Sequence, residues 1–262
     1  MKKSILILIF STLYSFSFAR RPSIDRSKAF IDGNLIFLMT SDSTANVLAH
    51  TPLSSSMIIP EKLMKENKTY TITAIMEGAF MCANGCKKKG TDYINISNKV
   101  VIPNTVTKIE RYAFSNCMAK NINLSQNITK IEDGTFNEAG IKKIKIPYGV
   151  TSIGVRAFKA CWKLKKVEIP ETVEYIGHEA FYWCTNLKKV NISNGVKIIG
   201  EQAFENCKKL TKVYIPNSVT YIGSYAFYEC ENLEVIIDNK EGNVQFSDEK
   251  LYGCKSVTYL RK

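Results

Sequence analysis

The dipeptide Ala-Phe returns along this chain at a nearly fixed interval, and that interval constrains the fold more than any other feature. It falls at Ala79-Phe80, Ala113-Phe114, Ala157-Phe158, Ala180-Phe181, Ala203-Phe204 and Ala226-Phe227, with Thr135-Phe136 as a variant. From Phe114 the phenylalanines are separated by 22, 22, 23, 23 and 23 residues, and Leu251 stands 24 residues beyond Phe227. One unit runs from Leu164 to Cys184. Leu164, Val167 and Ile169 alternate as a short strand that Pro170 stops, Val173 and Ile176 follow three apart, and Gly177 turns the chain. Ala180, Phe181 and Cys184 then line the inside of an expected short helical or 3₁₀ turn. The next two units repeat the pattern from Leu187 to Cys207 and from Leu210 to Cys230.

A period in this range is the mark of a stacked repeat. Each unit aims its apolar residues at one interior but has too few to enclose it, so neighbouring units must share a continuous core. Strands of successive turns then pair in parallel about 4.8 Å apart, and about eight turns give a solenoid roughly 40 Å long. Proline is tolerated at the strand end, where its missing N–H interrupts no ladder. Gly154, Gly177, Gly200 and Gly223 are expected to mark a bend whose backbone conformation other residues resist.

The unit Leu-x-x-Val-x-Ile-Pro-x-x-Val-x-x-Ile-Gly-x-x-Ala-Phe-x-x-Cys resembles the BspA-like, or Treponema pallidum-type, class of leucine-rich repeats over about residues 70–260. The resemblance implies a leucine-rich-repeat solenoid with a parallel β-sheet on one face. It also implies a surface or secreted protein used in adhesion to host matrix proteins, host cells or other microbes. Residues 20–69 look like that family's N-terminal cap: Leu35–Leu38 and Thr44–Leu48 read as a β-hairpin, and Thr69–Ile75 enters the first turn of a solenoid spanning 70–262. A cap would cover apolar surface and a bare strand edge. The 34-residue step from Phe80 to Phe114 places an insertion near residues 83–93, carrying Lys87, Lys88 and Lys89. The turn from Ile122 to Phe136 has Ser125 and Glu132 where other turns carry proline and glycine.

Residues 1–19 read as a signal peptide: Lys2 and Lys3 precede an apolar run from Ile5 to Phe18, with small residues at Ser17 and Ala19. Of 262 residues, cleavage after these nineteen leaves 243, and losing two lysines lowers the formal charge from +12 to +10. No second apolar run approaches a membrane span. A secreted, periplasmic or cell-surface protein is expected, with proteins or acidic glycans as partners and nucleic acid disfavoured by the export signal.

Eight cysteines in an exported chain would ordinarily suggest disulfides. Cys117, Cys161, Cys184, Cys207, Cys230 and Cys254, however, all occupy one phase of the repeat. Stacked side chains about 4.8 Å apart lie beyond the Cβ separation a disulfide prefers, and a ladder does not converge on a metal. Buried free thiols are expected. Cys82 and Cys86 lie off-phase, where a local disulfide and two free thiols are both open readings.

No catalytic constellation emerges. His50 falls in the cap loop and His178 at a variable turn position, neither beside a recognisable nucleophile motif. Glu110, Glu132, Glu174 and Glu179 read as solvated exterior residues. No enzyme activity, cofactor or metal is expected. What remains is surface. Before the central strand residue the turns carry Lys99, Asn121, Lys143, Lys166, Lys189 and Lys212, and one place earlier Lys142, Lys165 and Lys188. After it come Lys145, Glu168, Asn191 and Tyr214. Residues between buried ones project from the open sheet face. The candidate binding residues are therefore Lys143, Lys166, Lys189 and Lys212, with Tyr214 as an aromatic contact. A basic track for an acidic partner and a merely solvated face both fit this pattern, as does an envelope scaffold without a host ligand. Trp162 and Trp183 read as rings packed over the turns.

Overall fold

A computed structural model describes residues 25–50, 56–81, 99–247 and 253–261. The expected signal peptide, Cys82, Cys86, the insertion with Lys87–Lys89, and Leu251 lie outside the described residues, as does the His50 side chain.

The repeat region is a stack of turns, each contributing a wall to three faces. The first face carries three short parallel sheets in succession. Ser56–Ile58, Lys99–Val101 and Asn121–Asn123 pair in register, and Asn121 bridges to Lys143. Lys166–Ile169 pairs with Lys189–Ile192, and Lys212–Ile215 continues through Glu234–Lys240 to Ser256–Arg261. In the central strands, burial alternates strictly, which puts Val167, Val190 and Val213 inside and their neighbours in solvent.

The second face is also a sheet, one that the repeat pattern does not announce. Two-residue strands at Lys130–Ile131, Ser152–Ile153, Tyr175–Ile176, Ile198–Ile199, Tyr221–Ile222 and Gln245–Phe246 pair in parallel, one per turn. Between the two sheets, the proline carbonyl accepts the N–H three residues on: Val106 to Pro103, Val150 to Pro147, Val173 to Pro170 and Val219 to Pro216, each at 3.1 Å. Ser193 does the same for Val196, so proline presets this corner without being required for it. Where Ser125 replaces proline, its buried hydroxyl donates to the Val106 carbonyl of the preceding turn.

The third face carries Ala-Phe, and it is a run of tight turns rather than the helical or 3₁₀ segment expected. Two residues per turn are left-handed: Tyr112 and Asn116, Arg156 and Ala160, Glu179 and Trp183, Gln202 and Asn206, Tyr225 and Glu229, all with φ between 51° and 60°. This conformation costs non-glycine residues about 1–2 kcal/mol each. In return, alternate N–H groups point along the stack. Arg156, Phe158 and Ala160 donate to the carbonyls of His178, Ala180 and Tyr182 at 2.6–2.9 Å, so the third wall is hydrogen-bonded almost as a sheet is.

The core is a column of phenylalanines. Phe80, Phe114, Phe136, Phe158, Phe181, Phe204 and Phe227 stack face to face with centroids 4.7–5.6 Å apart, all buried. Beside it run Cys117, Cys161, Cys184, Cys207 and Cys230, all free and buried, with Cys254 half-buried at the end. The thiols of Cys161, Cys184, Cys207 and Cys230 donate to the carbonyls of Phe136, Phe158, Phe181 and Phe204 at 3.0–3.3 Å. Burial raises the pKa of Cys184 and Cys230 to about 12, which suits a small apolar residue with a weak donor.

The glycine row has a different cause from the one expected. Gly154, Gly177, Gly200 and Gly223 do not have positive φ. Instead, each backbone lies against the one beneath it: a Cβ on Gly177 would sit 2.6 Å from the Gly154 carbonyl carbon, and one on Gly200 2.7 Å from the Gly177 carbonyl carbon. Close stacking, not backbone conformation, selects glycine here.

N-terminal to the repeats, Ala29–Asp32, Leu35–Met39 and Thr44–His50 form antiparallel pairs, the first two joined through Gly33 at φ 55°. Lys62–Lys65 and Lys68–Ile75 form a hairpin whose turn residues Glu66 and Asn67 are both left-handed, the geometry that matches strand twist. Lys68–Ile75 then pairs in parallel with Thr44–His50 on one side and Lys108–Ile109 on the other, so this sheet takes in a short strand of the first turn while the second-face sheet starts anew at Lys130–Ile131.

Candidate functional site

On the first face, Lys99, Lys143, Lys166, Lys189 and Lys212 are all exposed, and the pairing puts Lys166 directly beside Lys189. Parallel register forces this: one residue type at one phase becomes one row, with cations about 4.8 Å apart where strands pair. Lys142, Lys165 and Lys188 precede the strands and are exposed too. Two residues along each strand, and so on the same face, lie Lys145, Glu168, Asn191 and Tyr214. Glu168 is the one carboxylate within the row; Lys166 lies 2.5 Å from it and, with Lys189 and Lys145, holds its pKa below the ordinary glutamate value. Among the described residues Lys143, Lys189 and Lys212 make no ion pair. The run ends at Glu234, which pairs with Lys255 at 2.9 Å.

Tyr214 is on this face with its ring 43% exposed, but its hydroxyl is already committed, donating to Asp238 at 2.6 Å. Asp238 also takes Arg261 at 2.7 Å. The Tyr214 hydroxyl is therefore anchored to a neighbouring turn while the residue stays exposed beside Lys212.

Toward the N-terminal side the sheet is interrupted: residues 144–146 form no strand with either neighbour. The gap opens a shallow groove of about 710 Å³ lined by Lys99, Lys143 and Lys145 with Asn121, Asn123 and Gln126. Three ammonium groups and three amides converge there, a donor-rich lining for carboxylate, sulfate or phosphate oxygens.

The turn face differs from the solvated exterior expected of it. Glu179 is buried, not exterior. Arg156 grips it with Nε and Nη2 at 3.0 and 3.1 Å, Lys159 contacts it as well, and His178 Nε2 lies 3.1 Å away. Burial raises the Glu179 pKa, but the hydrogen bonds and charges of Arg156 and Lys159 outweigh it and hold the group at about 2. His178 is half-buried between Glu179 and Glu201, not an exposed turn residue. Glu110 is half-buried and caps the Glu77 N–H at 2.9 Å, and Glu132 is half-buried also, while Glu174 is exposed as expected. These residues pin adjacent turns together. Trp162 and Trp183 are 44% and 51% exposed, so neither ring is packed away over its turn. Among the described residues no three His, Cys, Asp or Glu side chains are placed to hold a metal.

A stacked, cationic-faced repeat scaffold is the class that fold and surface define. The profile of the BspA type leucine-rich repeat region matches residues 92–181 and 151–261 in six copies, and the chain belongs to that family. Among solved structures, a leucine-rich repeat protein from Bacteroides ovatus is 28% identical with a TM-score of 0.73 over 87% of this chain, which spans 57% of that protein's length. The leucine-rich repeat protein of T. pallidum is 22% identical with a TM-score of 0.61, over 79% of this chain and 91% of the other. The pneumococcal vaccine antigen PcpA is 23% identical with a TM-score of 0.50, over 82% and 50%. The last two share the fold. No functionally curated protein matches the chain.

Proposed function

We propose that this chain is a secreted or cell-surface binding protein, adhesin-like, whose first sheet face receives acidic proteins or polyanionic glycans. The observation that carries the reading is the row of exposed lysines at Lys143, Lys166, Lys189 and Lys212, one per turn at one phase, with Lys166 and Lys189 paired side by side, and largely without carboxylate partners on the described surface. A ligand bearing several anions along one line meets one cation per turn, and many weak contacts in register act together. The groove at Lys99, Lys143 and Lys145 supports the same reading at its N-terminal side, and the Tyr214 ring offers an amphipathic contact at the other. BspA-type repeats belong generally to cell-surface or secreted proteins, and no helix among the described residues is long and apolar enough to cross a membrane. The N-terminal strands fit the role of a cap, since Lys68–Ile75 pairs with Lys108–Ile109 of the first turn.

Binding of residues 20–262 to immobilised matrix proteins and to heparin, followed across a salt series, tests the proposal. Saturable binding that weakens with salt is expected, and it should be lost when Lys143, Lys166, Lys189 and Lys212 are all changed to Ser. Undiminished binding by that variant would move the site elsewhere, and no binding by the parent would favour an envelope scaffold.

A further inference from the structure

The turn face between Lys159 and Glu229 carries a second surface whose chemistry is unlike that of the lysine row. Backbone bonds fix its layout: Ala160 N–H donates to Tyr182 at 2.6 Å, Trp183 to Glu205 at 2.9 Å, and Asn206 to Tyr228 at 2.8 Å. Tyr182, Glu205 and Tyr228 therefore follow one another turn by turn at one phase, with Trp183 and Asn206 beside them. At one turn per roughly 4.8 Å, the two tyrosines stand about 10 Å apart with Glu205 between them.

Two residues in this array stand out. Trp183 occupies the left-handed phase that Asn116, Glu138, Ala160, Asn206 and Glu229 hold in other turns, so the stack and not the residue sets its backbone. It is a large apolar residue left 51% exposed, stacked beside Tyr182 with centroids 6.2 Å apart and planes 20° from parallel. An exposed tryptophan that the core does not use is a candidate contact. Glu205 is buried, and it is held differently from Glu179. Its carboxylate takes amide hydrogen bonds from Gln202 Nε2 at 2.8 Å and Asn206 Nδ2 at 3.4 Å, with no cation in ion-pair range among the described residues. An ionised carboxylate has about four acceptor sites, so capacity remains.

We propose that Trp183, Tyr182, Glu205 and Asn206, with Tyr225 and Tyr228 at the next turn, form a binding site for a neutral hexopyranose oligosaccharide. The exposed rings of Trp183 and Tyr225 match the C–H face of a sugar ring; Tyr182, itself covered by the Lys159 ammonium 4.6 Å from its ring centroid, backs Trp183, and Tyr228 packs edge-to-face on Tyr225. The carboxylate and the amides match hydroxyl donors and acceptors. Charge sets the class. Glu201, Glu205 and Glu229 are offset by Lys159 over Tyr182 and by Lys208, 3.9 Å from Glu229, so the patch offers a polyanion no row of cations like that of the first face. Glu205 is already buried on its two amide partners, and its remaining acceptor sites suit sugar hydroxyls better than hydrocarbon.

The test uses residues 20–262 carrying Trp162→Phe, which leaves Trp183 as the sole tryptophan of the two. The protein is titrated with cellohexaose, maltohexaose and a mannohexaose, read by tryptophan fluorescence and by calorimetry. Saturable binding of at least one is expected, insensitive to about 0.5 M NaCl, where the screening length is only a few ångströms. It should survive the four-lysine variant and weaken at least about tenfold in Trp183→Asn and in Glu205→Gln. Trp183→Asn installs the residue type of Asn116 and Asn206 and should keep the parent melting temperature, so loss of binding there is not loss of fold. No saturable response to any of the three sugars would overturn the proposal, as would sugar binding unchanged in both variants.

Discussion

Glu179 shows how a single residue ties turns together. Its carboxylate is held at about 2, against an ordinary value of 4.5, by Arg156 and Lys159 from the preceding turn. A carboxylate whose pKa is depressed in the folded state adds stability above its unfolded value, and that contribution is lost as pH falls through the folded value. Parent and Glu179→Gln should therefore differ in urea stability at neutral pH, with the parent the more stable. The gap should shrink as pH drops from about 4.5 toward 2, and a gap constant across that window would contradict the assignment. Gly200 makes a second case. A Cβ there would press on the Gly177 backbone at 2.7 Å, so Gly200→Ala should cost about 1–3 kcal/mol by overpacking in denaturant melts, although alanine is ordinarily at ease where φ is negative. A neutral effect would mean the stack gives way more easily than its spacing suggests.

At the scale of elements, the phenylalanine and cysteine columns show why each wall needs its neighbours. The thiols of Cys161, Cys184, Cys207 and Cys230 bond to the phenylalanine carbonyls one turn back. Burial pushes Cys117 up to about 11 and Cys184 to about 12, and only thiolates alkylate readily. In a Cys82→Ser, Cys86→Ser background, iodoacetamide should leave the five buried thiols unmodified in native protein, label half-buried Cys254 first, and reach the rest only in urea. Rapid labelling of Cys184 in the native state would contradict the ladder. These columns were legible in the sequence because burial and phase coincide at Phe181 and Cys184. The second sheet was not, because Tyr175–Ile176 is too short to show alternation and buries only one of its two residues. The left-handed turns were hidden as well. Arg156, Glu179 and Trp183 carry none of the usual signals for positive φ, since the hydrogen bonds of the stack, not residue type, impose it. The exposure of the lysines was legible, though not the breaks in the sheet beneath them, and burial of Glu179 was not, because its partners Arg156 and Lys159 come from another turn.

The whole molecule is a rod of repeated turns whose faces have separate chemistry. One sheet face is cationic and the turn face mixes aromatic rings with carboxylates, within a formal charge of +12 for the whole chain. A general attraction between a basic protein and an acidic partner would depend on that total alone. The account instead assigns binding to one face. Two charge-matched variants separate these explanations: one with Lys143, Lys166, Lys189 and Lys212 changed to Ser, the other with Lys108, Lys130, Lys197 and Lys208, exposed lysines outside the row, changed to Ser. Heparin affinity for both, measured at one ionic strength, is the most direct test. The account predicts loss of binding in the first variant and near-parental affinity in the second; equal loss in both would show that net charge, not the lysine row, does the binding.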